Sequence, residues 1–196
     1  MGRPALQDAD RRILDATFKV AANSPQGRFS TKDIAKEAGL SEGVIFSHFM
    51  DKRTLIIRCL QDSNRRVFET DLEAAKMHGK DFNGFYSTML DWYIKNPNEA
   101  RFSIKYSLVF PRTGREDEYE IFGKDVDDTW GTIFPMLPFK DETMSKEKWE
   151  AIAIFCLREI IYDALYIVSG RVPDTPTVRR SMTDTLLRGL SAYMKS

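Results

Sequence analysis

Between Ser30 and Lys52 the chain reads STKDIAKEAGLSEGVIFSHFMDK, and no other segment limits the possible folds as much. Ser30 and Ser41 each stand where a helix N-cap is wanted, and Asp33 lies three residues after Ser30, the spacing of a short capping box. Gly39 falls where a chain leaves a helix in the left-handed region, which glycine enters without steric cost. The spacing therefore predicts one helix over about Thr31–Ala38 and another over about Glu42–Phe49, with Leu40 filling the corner. Helices this short are unstable alone. Ile34, Ala35 and Ala38 on the first, and Ile45 and Phe49 on the second, must share a small core with neighbouring helices. Two helices joined so tightly cross steeply, the arrangement of a helix-turn-helix, whose second helix enters a DNA major groove.

The pattern elsewhere is helical as well. Ile13, Leu14, Thr17, Phe18 and Ala21 recur at helical spacing before a break at Asn23–Gly27, and a long helix is expected from near Asp51 to about Lys76. Asn96-Pro97 marks a helix boundary, with Pro97 suited to a first helical position. The acidic GREDEYE stretch opens a further expected helix that ends near Pro135 and Pro138. Ser145 is a plausible N-cap. Trp149–Ser169 is apolar on almost every side and so predicts a helix buried all round, and Thr177–Met194 carries one apolar stripe. No segment alternates with period two. The expected fold class is all-α: a three-helix DNA-binding head over residues 1–52, a linking helix over about 51–76, and a larger helical domain for effector binding and dimerisation over 77–196.

Composition bounds the function classes. The formal charge is +0, yet residues 1–66 carry a net +4 and the remainder a net −4, as expected if only the head meets phosphate. No apolar run reaches the ~20 residues of a membrane span, and MGRPALQDADRR lacks the apolar region of a secretory leader. Cys59 and Cys156 lie among apolar residues and read as free thiols in a reducing cytoplasm. With 2 histidines, no Gly-x-Ser-x-Gly elbow and no glycine-rich phosphate loop, the expectation is a non-enzyme with no catalytic residues, no metal and no cofactor.

The run Ser30-Thr31, Ile34-Ala35, Ala38-Gly39-Leu40-Ser41-Glu42-Gly43-Val44-Ile45-Phe46-Ser47-His48-Phe49, Asp51-Lys52 and Leu55 resembles the N-terminal domain of the TetR family of bacterial transcriptional regulators. The resemblance covers roughly residues 9–58; beyond it only the family's general plan is shared. It implies that Thr31, His48 and Lys52 touch DNA phosphates, Lys52 as a mobile point charge. It also places Glu42, Gly43, Val44 and Ser47 against bases or adjacent backbone. Phe46 stands where such proteins commonly have tyrosine, and Val44 where threonine or serine is common; both substitutions remove polar contacts and leave apolar surface. Arg3, with Gly2 and Pro4, reads as a flexible arm able to reach a minor groove.

Regulators of this kind imply a homodimer on a near-palindromic double-stranded operator, in a bacterial cytoplasm at the nucleoid and without a membrane. Ile160, Ile161, Leu165, Val168, Met182, Leu186, Leu190 and Tyr193 on the last two helices are the interface candidates, with Gly189 and Ala192 permitting close approach. An apolar or aromatic small-molecule effector would lie among Phe85, Met89, Trp92, Tyr93, Phe102, Tyr106, Phe110, Trp130, Phe155, Tyr162 and Tyr166, releasing a repressor from DNA. The competing reading is a DNA-bound interaction or architectural protein with a solid second domain and no effector.

Overall fold

The structure is a computed structural model that describes residues 3–24, 28–79, 81–107 and 144–195. Among the described residues the chain is helical and lacks strands. α1 (Arg3–Asn23) begins at the residue expected to lie in a flexible arm. Pro4 suits the first turn of a helix, where its missing N–H is not needed, so Arg3 is helical instead. Ile13, Leu14, Ala16, Thr17, Phe18 and Ala21 turn inward, and the buried Thr17 hydroxyl donates to the Ile13 carbonyl at 2.7 Å.

α2 (Thr31–Ala38) starts with the expected capping box: the Ser30 N–H donates to the Asp33 carboxylate at 2.8 Å, and Ser30 Oγ accepts from the Asp33 N–H at 3.2 Å. It ends on Gly39 at φ 64°. A contact not legible in the local sequence completes this end. Arg12 of α1 donates to the carbonyls of Ala38 at 2.7 Å and Gly39 at 3.3 Å, satisfying acceptors that a helix C-terminus leaves open. α3 (Glu42–His48) follows directly. Ser41 is its N-cap residue, but its hydroxyl makes no capping bond; only its backbone carbonyl takes part, accepting from the Val44 N–H at 3.1 Å. α4 (Lys52–His78) is capped by Asp51, which accepts from the Thr54 N–H at 2.7 Å.

These four helices enclose the head core. Ile34, Ala35, Ala38, Ile45 and Phe49 pack with the inner face of α1 and with Leu55, Ile56, Cys59 and Leu60 of α4. The body contributes to the same core. α6 (Pro97–Ser107) lies against α1, and its Phe102 and Tyr106 join the head cluster. Phe102 meets Phe18 edge-on at 5.0 Å, and Tyr106 meets Phe29 at 6.3 Å.

The body core is formed by α4, α5 (Phe82–Lys95), α7 (Lys146–Val168) and α8 (Pro176–Lys195). Phe85, Tyr86, Met89 and Tyr93 of α5 pack on Ile152, Cys156, Ile160, Ile161 and Ala164 of α7 and on Leu186 and Leu190 of α8. Ser145 caps α7 by accepting from the Lys148 N–H. α7 is not buried all round: Tyr162 and Tyr166 are 38% and 42% exposed, because α5, α6 and α8 cover only part of its circumference. Both cysteines are free and buried, and burial raises both thiol pKa values. The acidic stretch expected to form a helix lies outside the described residues, and no described helix is long and apolar enough to cross a membrane.

Candidate nucleic-acid interface

The α2–turn–α3 unit is fixed from inside by Ile34, Ala35, Ala38, Ile45 and Phe49, leaving the opposite side of α3 outward. Glu42, Gly43, Phe46 and Ser47 are exposed and Val44 is half-buried. Gly43, Phe46 and Ser47 fall at i, i+3 and i+4, one face of a helix. The exposed basic side chains Lys32 and Lys36 lie on α2, with Arg28 just before it and Arg53 at the start of α4. Lys32 and Lys36 were not among the expected contacts. Their i, i+4 spacing opposite the apolar face of α2 is the signal that would have found them.

The remaining expected phosphate contacts are engaged within the chain. The Thr31 hydroxyl donates to the Glu42 carboxylate, tying the start of α2 to the start of α3. His48 is half-buried, with Nδ1 2.6 Å from an Asp10 carboxylate oxygen of α1. Lys52 differs most from expectation. Its Nζ donates to the Phe29 carbonyl at 2.6 Å and sits 3.9 Å from the centre of the Phe29 ring. Partial burial lowers the ammonium pKa, and the nearby Asp33 opposes that shift. Lys52 is thus a tethered cation holding the α1–α2 connection to the start of α4, not a mobile point charge.

Residues 13–59, covering the second half of α1, all of α2 and α3 and the first turns of α4, match the sequence model of bacterial regulatory proteins of the tetR family. The head belongs to the TetR family. An HTH-type transcriptional regulator, AcrR of Shigella flexneri, is 26% identical over 105 residues, covering 53% of this chain and 49% of the relative. The matched stretch therefore spans about half the length of that curated relative. The fold extends further. A TetR family transcription regulator from Marinobacter aquaeolei VT8 superposes with a TM-score of 0.75 at 18% identity, covering 95% of this chain and 97% of the other. The transcriptional regulator FadR of Bacillus subtilis, solved in complex with stearoyl-CoA, gives a TM-score of 0.65 at 16% identity over 91% and 98% of the two chains.

Behind the TetR-family head, the expected effector residues that are described fall in different places. Phe85, Met89 and Tyr93 are packed core, while Trp92 and Phe155 are half-buried at its edge. Phe102 and Tyr106 belong to the head cluster, and Tyr162 and Tyr166 face outward. Phe110 and Trp130 lie outside the described residues. A groove of about 350 Å³ runs between α7 and α8, lined in part by Phe155, Glu159, Asp163, Val178, Met182 and Leu186. At its base the Tyr86 hydroxyl donates to Asp163, whose carboxyl pKa is raised by burial. Arg179 is held nearby between Asp91 at 2.6 Å and Asp174 at 2.8 Å.

The interface candidates divide similarly. Ile160, Ile161, Leu186 and Leu190 are consumed by the core of the single chain, and Leu165, Val168 and Met182 are half-buried. Tyr193's side chain is not among those described. The residues of α7 and α8 that stay exposed include Tyr162, Tyr166, Arg188, Gly189 and Ala192. A Cβ added at Gly189 would meet nothing within 4 Å.

Proposed function

We propose that this protein is a transcriptional regulator that binds duplex DNA through α3, acts as a homodimer on a near-palindromic operator, and is released as a repressor by a small effector. The observation that carries the reading is the head: a capped and buttressed α2–turn–α3 unit whose outer α3 face is bare, flanked by exposed cations. An anchored helix with an unpaired outer face and basic margins suits a major groove between phosphate rails.

Dimerisation is supported by the uncovered aromatic and small-residue side of α7 and α8, and by the need for two heads to read enough base pairs. Isologous pairing of that side would set two copies of α3 at half-sites ~34–36 Å apart, or at multiples of that spacing. The effector reading draws support from the FadR complex, in which a protein of this fold was solved with an acyl-CoA. Its body helices superpose on those of this chain at low identity, so the ligand class is carried as an expectation. Selection of bound duplexes from random DNA tests the whole reading. A palindromic consensus supports a dimeric sequence reader, whereas recovery of no enriched sequence refutes it. Gel shifts of the selected duplex with long-chain acyl-CoA, and separately with apolar aromatic compounds, test release.

A further inference from the structure

The mode of base recognition can be inferred from what the head leaves uncommitted, and this step rests on the proposed DNA-binding role. Polar groups on the reading side are already spent inside the chain. Thr31 donates to Glu42, and the Ser47 hydroxyl donates to the Val44 carbonyl at 2.8 Å. His48 pairs with Asp10, and Lys52 is held by the Phe29 carbonyl. Large apolar side chains also remain exposed on and just after α3. Phe46 of α3 is 49% exposed and Met50, just beyond its end, 83% exposed, while Val44 is half-buried.

Gly43 adds an independent observation. It lies in the first turn of α3 without a left-handed φ, and a Cβ there would meet only Ser41 Oγ at 3.9 Å. Neither backbone geometry nor packing within the chain requires glycine at this position. A bare backbone on an exposed face is suited to close approach by another molecule. Arg28, Lys32 and Lys36 of the same head are exposed cations, and under the proposed DNA-binding role the approaching molecule is a polyanion that also offers apolar groups at its edges. In the major groove of duplex DNA the apolar group is the C5-methyl of thymine.

We propose that Phe46 and Met50, together with Val44, read thymine through its C5-methyl group, so that apolar contact at T·A pairs sets sequence preference more than hydrogen bonding to base edges does. The cations fix register on the phosphates and carry no sequence information themselves.

Uracil substitution separates the two modes of reading, because uracil keeps every hydrogen-bonding edge of thymine and lacks only the methyl. The probe is the duplex selected from random DNA, resynthesised with uracil at one thymine pair at a time and measured by fluorescence anisotropy at fixed salt. Half-site thymines under α3 should show about fourfold weaker binding per methyl removed, the effect of exposing one buried carbon. Thymines outside the half-sites should show none. Phe46→Ala and Met50→Ala, both at exposed positions and checked by circular dichroism, should each shrink the thymine-to-uracil ratio toward one. Equal binding to thymine and uracil duplexes, a ratio unchanged in both variants, or a consensus without half-site thymine overturns this inference and leaves the regulator reading standing. Failure to bind any duplex overturns both.

Discussion

At Gly43 and Lys52 the demands of the fold and of the proposed DNA contact can be separated one residue at a time. Glycine in a helix costs about 0.5–1 kcal/mol relative to alanine, and nothing in the chain crowds a Cβ at Gly43. Gly43→Ala should therefore raise head stability by roughly that amount, read as a higher thermal midpoint, while weakening binding to all duplexes because the new methyl holds the helix backbone off the groove. A variant that binds as well as the parent would show that the α3 backbone does not come close to DNA. Lys52 has both a structural and an electrostatic part to play. Its charged hydrogen bond to the Phe29 carbonyl and its position over the Phe29 ring contribute about 1–3 kcal/mol where partly shielded. Lys52→Met should lower denaturant stability by an amount in that range in the absence of any DNA, a loss that a freely mobile surface lysine would not produce.

At the scale of elements, the junction of α1, α4 and α6 holds a buried, incompletely satisfied charge cluster. Glu99 of α6 is buried and pairs with Arg66 of α4 at 2.6 Å, while Asp62 lies 3.1 Å from Arg66, 2.9 Å from Arg65 and 3.5 Å from Arg11 of α1. Arg66 also sits over the Phe18 ring at 5.2 Å. The pair is incompletely satisfied: Arg66 Nη2 and Glu99 Oε2 are buried without a hydrogen-bond partner among the described residues. Burial raises the Glu99 pKa from 4.5 to about 7, against the opposing pull of Arg66. Between those values the folded chain holds a proton that the unfolded chain has released, so stability is greatest at the acid end of that window and falls as pH rises through it. The fall due to Glu99 is of order 3 kcal/mol. Urea unfolding from pH 4.5 to 7.5 should show this decline, and Glu99→Gln should flatten it. Asp71 of α4, also buried with a strongly raised pKa, adds a component of the same sign that the Glu99 variant leaves in place. A slope identical in the parent and Glu99→Gln would place the titrating group elsewhere.

The junction also shows what the sequence could and could not disclose. The Ser30–Asp33 box, the Gly39 turn and the start of α4 near Asp51 depend on residues within a few positions of each other, so spacing alone revealed them. Arg12 capping α2, Lys52 reaching Phe29 and Phe102 packing on Phe18 join residues separated by many turns of helix, and no local period records them. The aromatic face of α5 and α6 was legible as apolar. Its division between a head core and a body core was not, because burial on either side selects the same residue types. Tyr162 and Tyr166 lie exposed on a helix expected to be buried all round for a related reason: an aromatic at helical spacing does not disclose whether a neighbouring helix covers it.

For the whole molecule, the distribution of charge and apolar surface bears on assembly. Residues 1–66 are net +4 and residues 67–196 net −4, a polarity that suits a pair joined through acidic bodies with both basic heads free for one duplex. Exposed residues of α7 and α8 have the ingredients for such a contact: Tyr162 and Tyr166 as anchors on α7, and Gly189 of α8, where an added Cβ would meet nothing. Aromatic anchors in a desolvated centre carry much of the energy of such interfaces. Tyr166→Arg would place a like charge on both faces of an isologous pair. The variant should sediment as a 22.6 kDa chain while the parent sediments at twice that mass, and its circular dichroism should be unchanged because Tyr166 is exposed. Its affinity for a palindromic duplex should fall by about 10²–10⁴-fold, the advantage lost when the second head no longer binds intramolecularly. Its affinity for a single half-site should match the parent's. Loss of half-site binding as well would mean that α7 supports the head directly, and a parent that sediments as a single chain would remove the dimer from the proposed function.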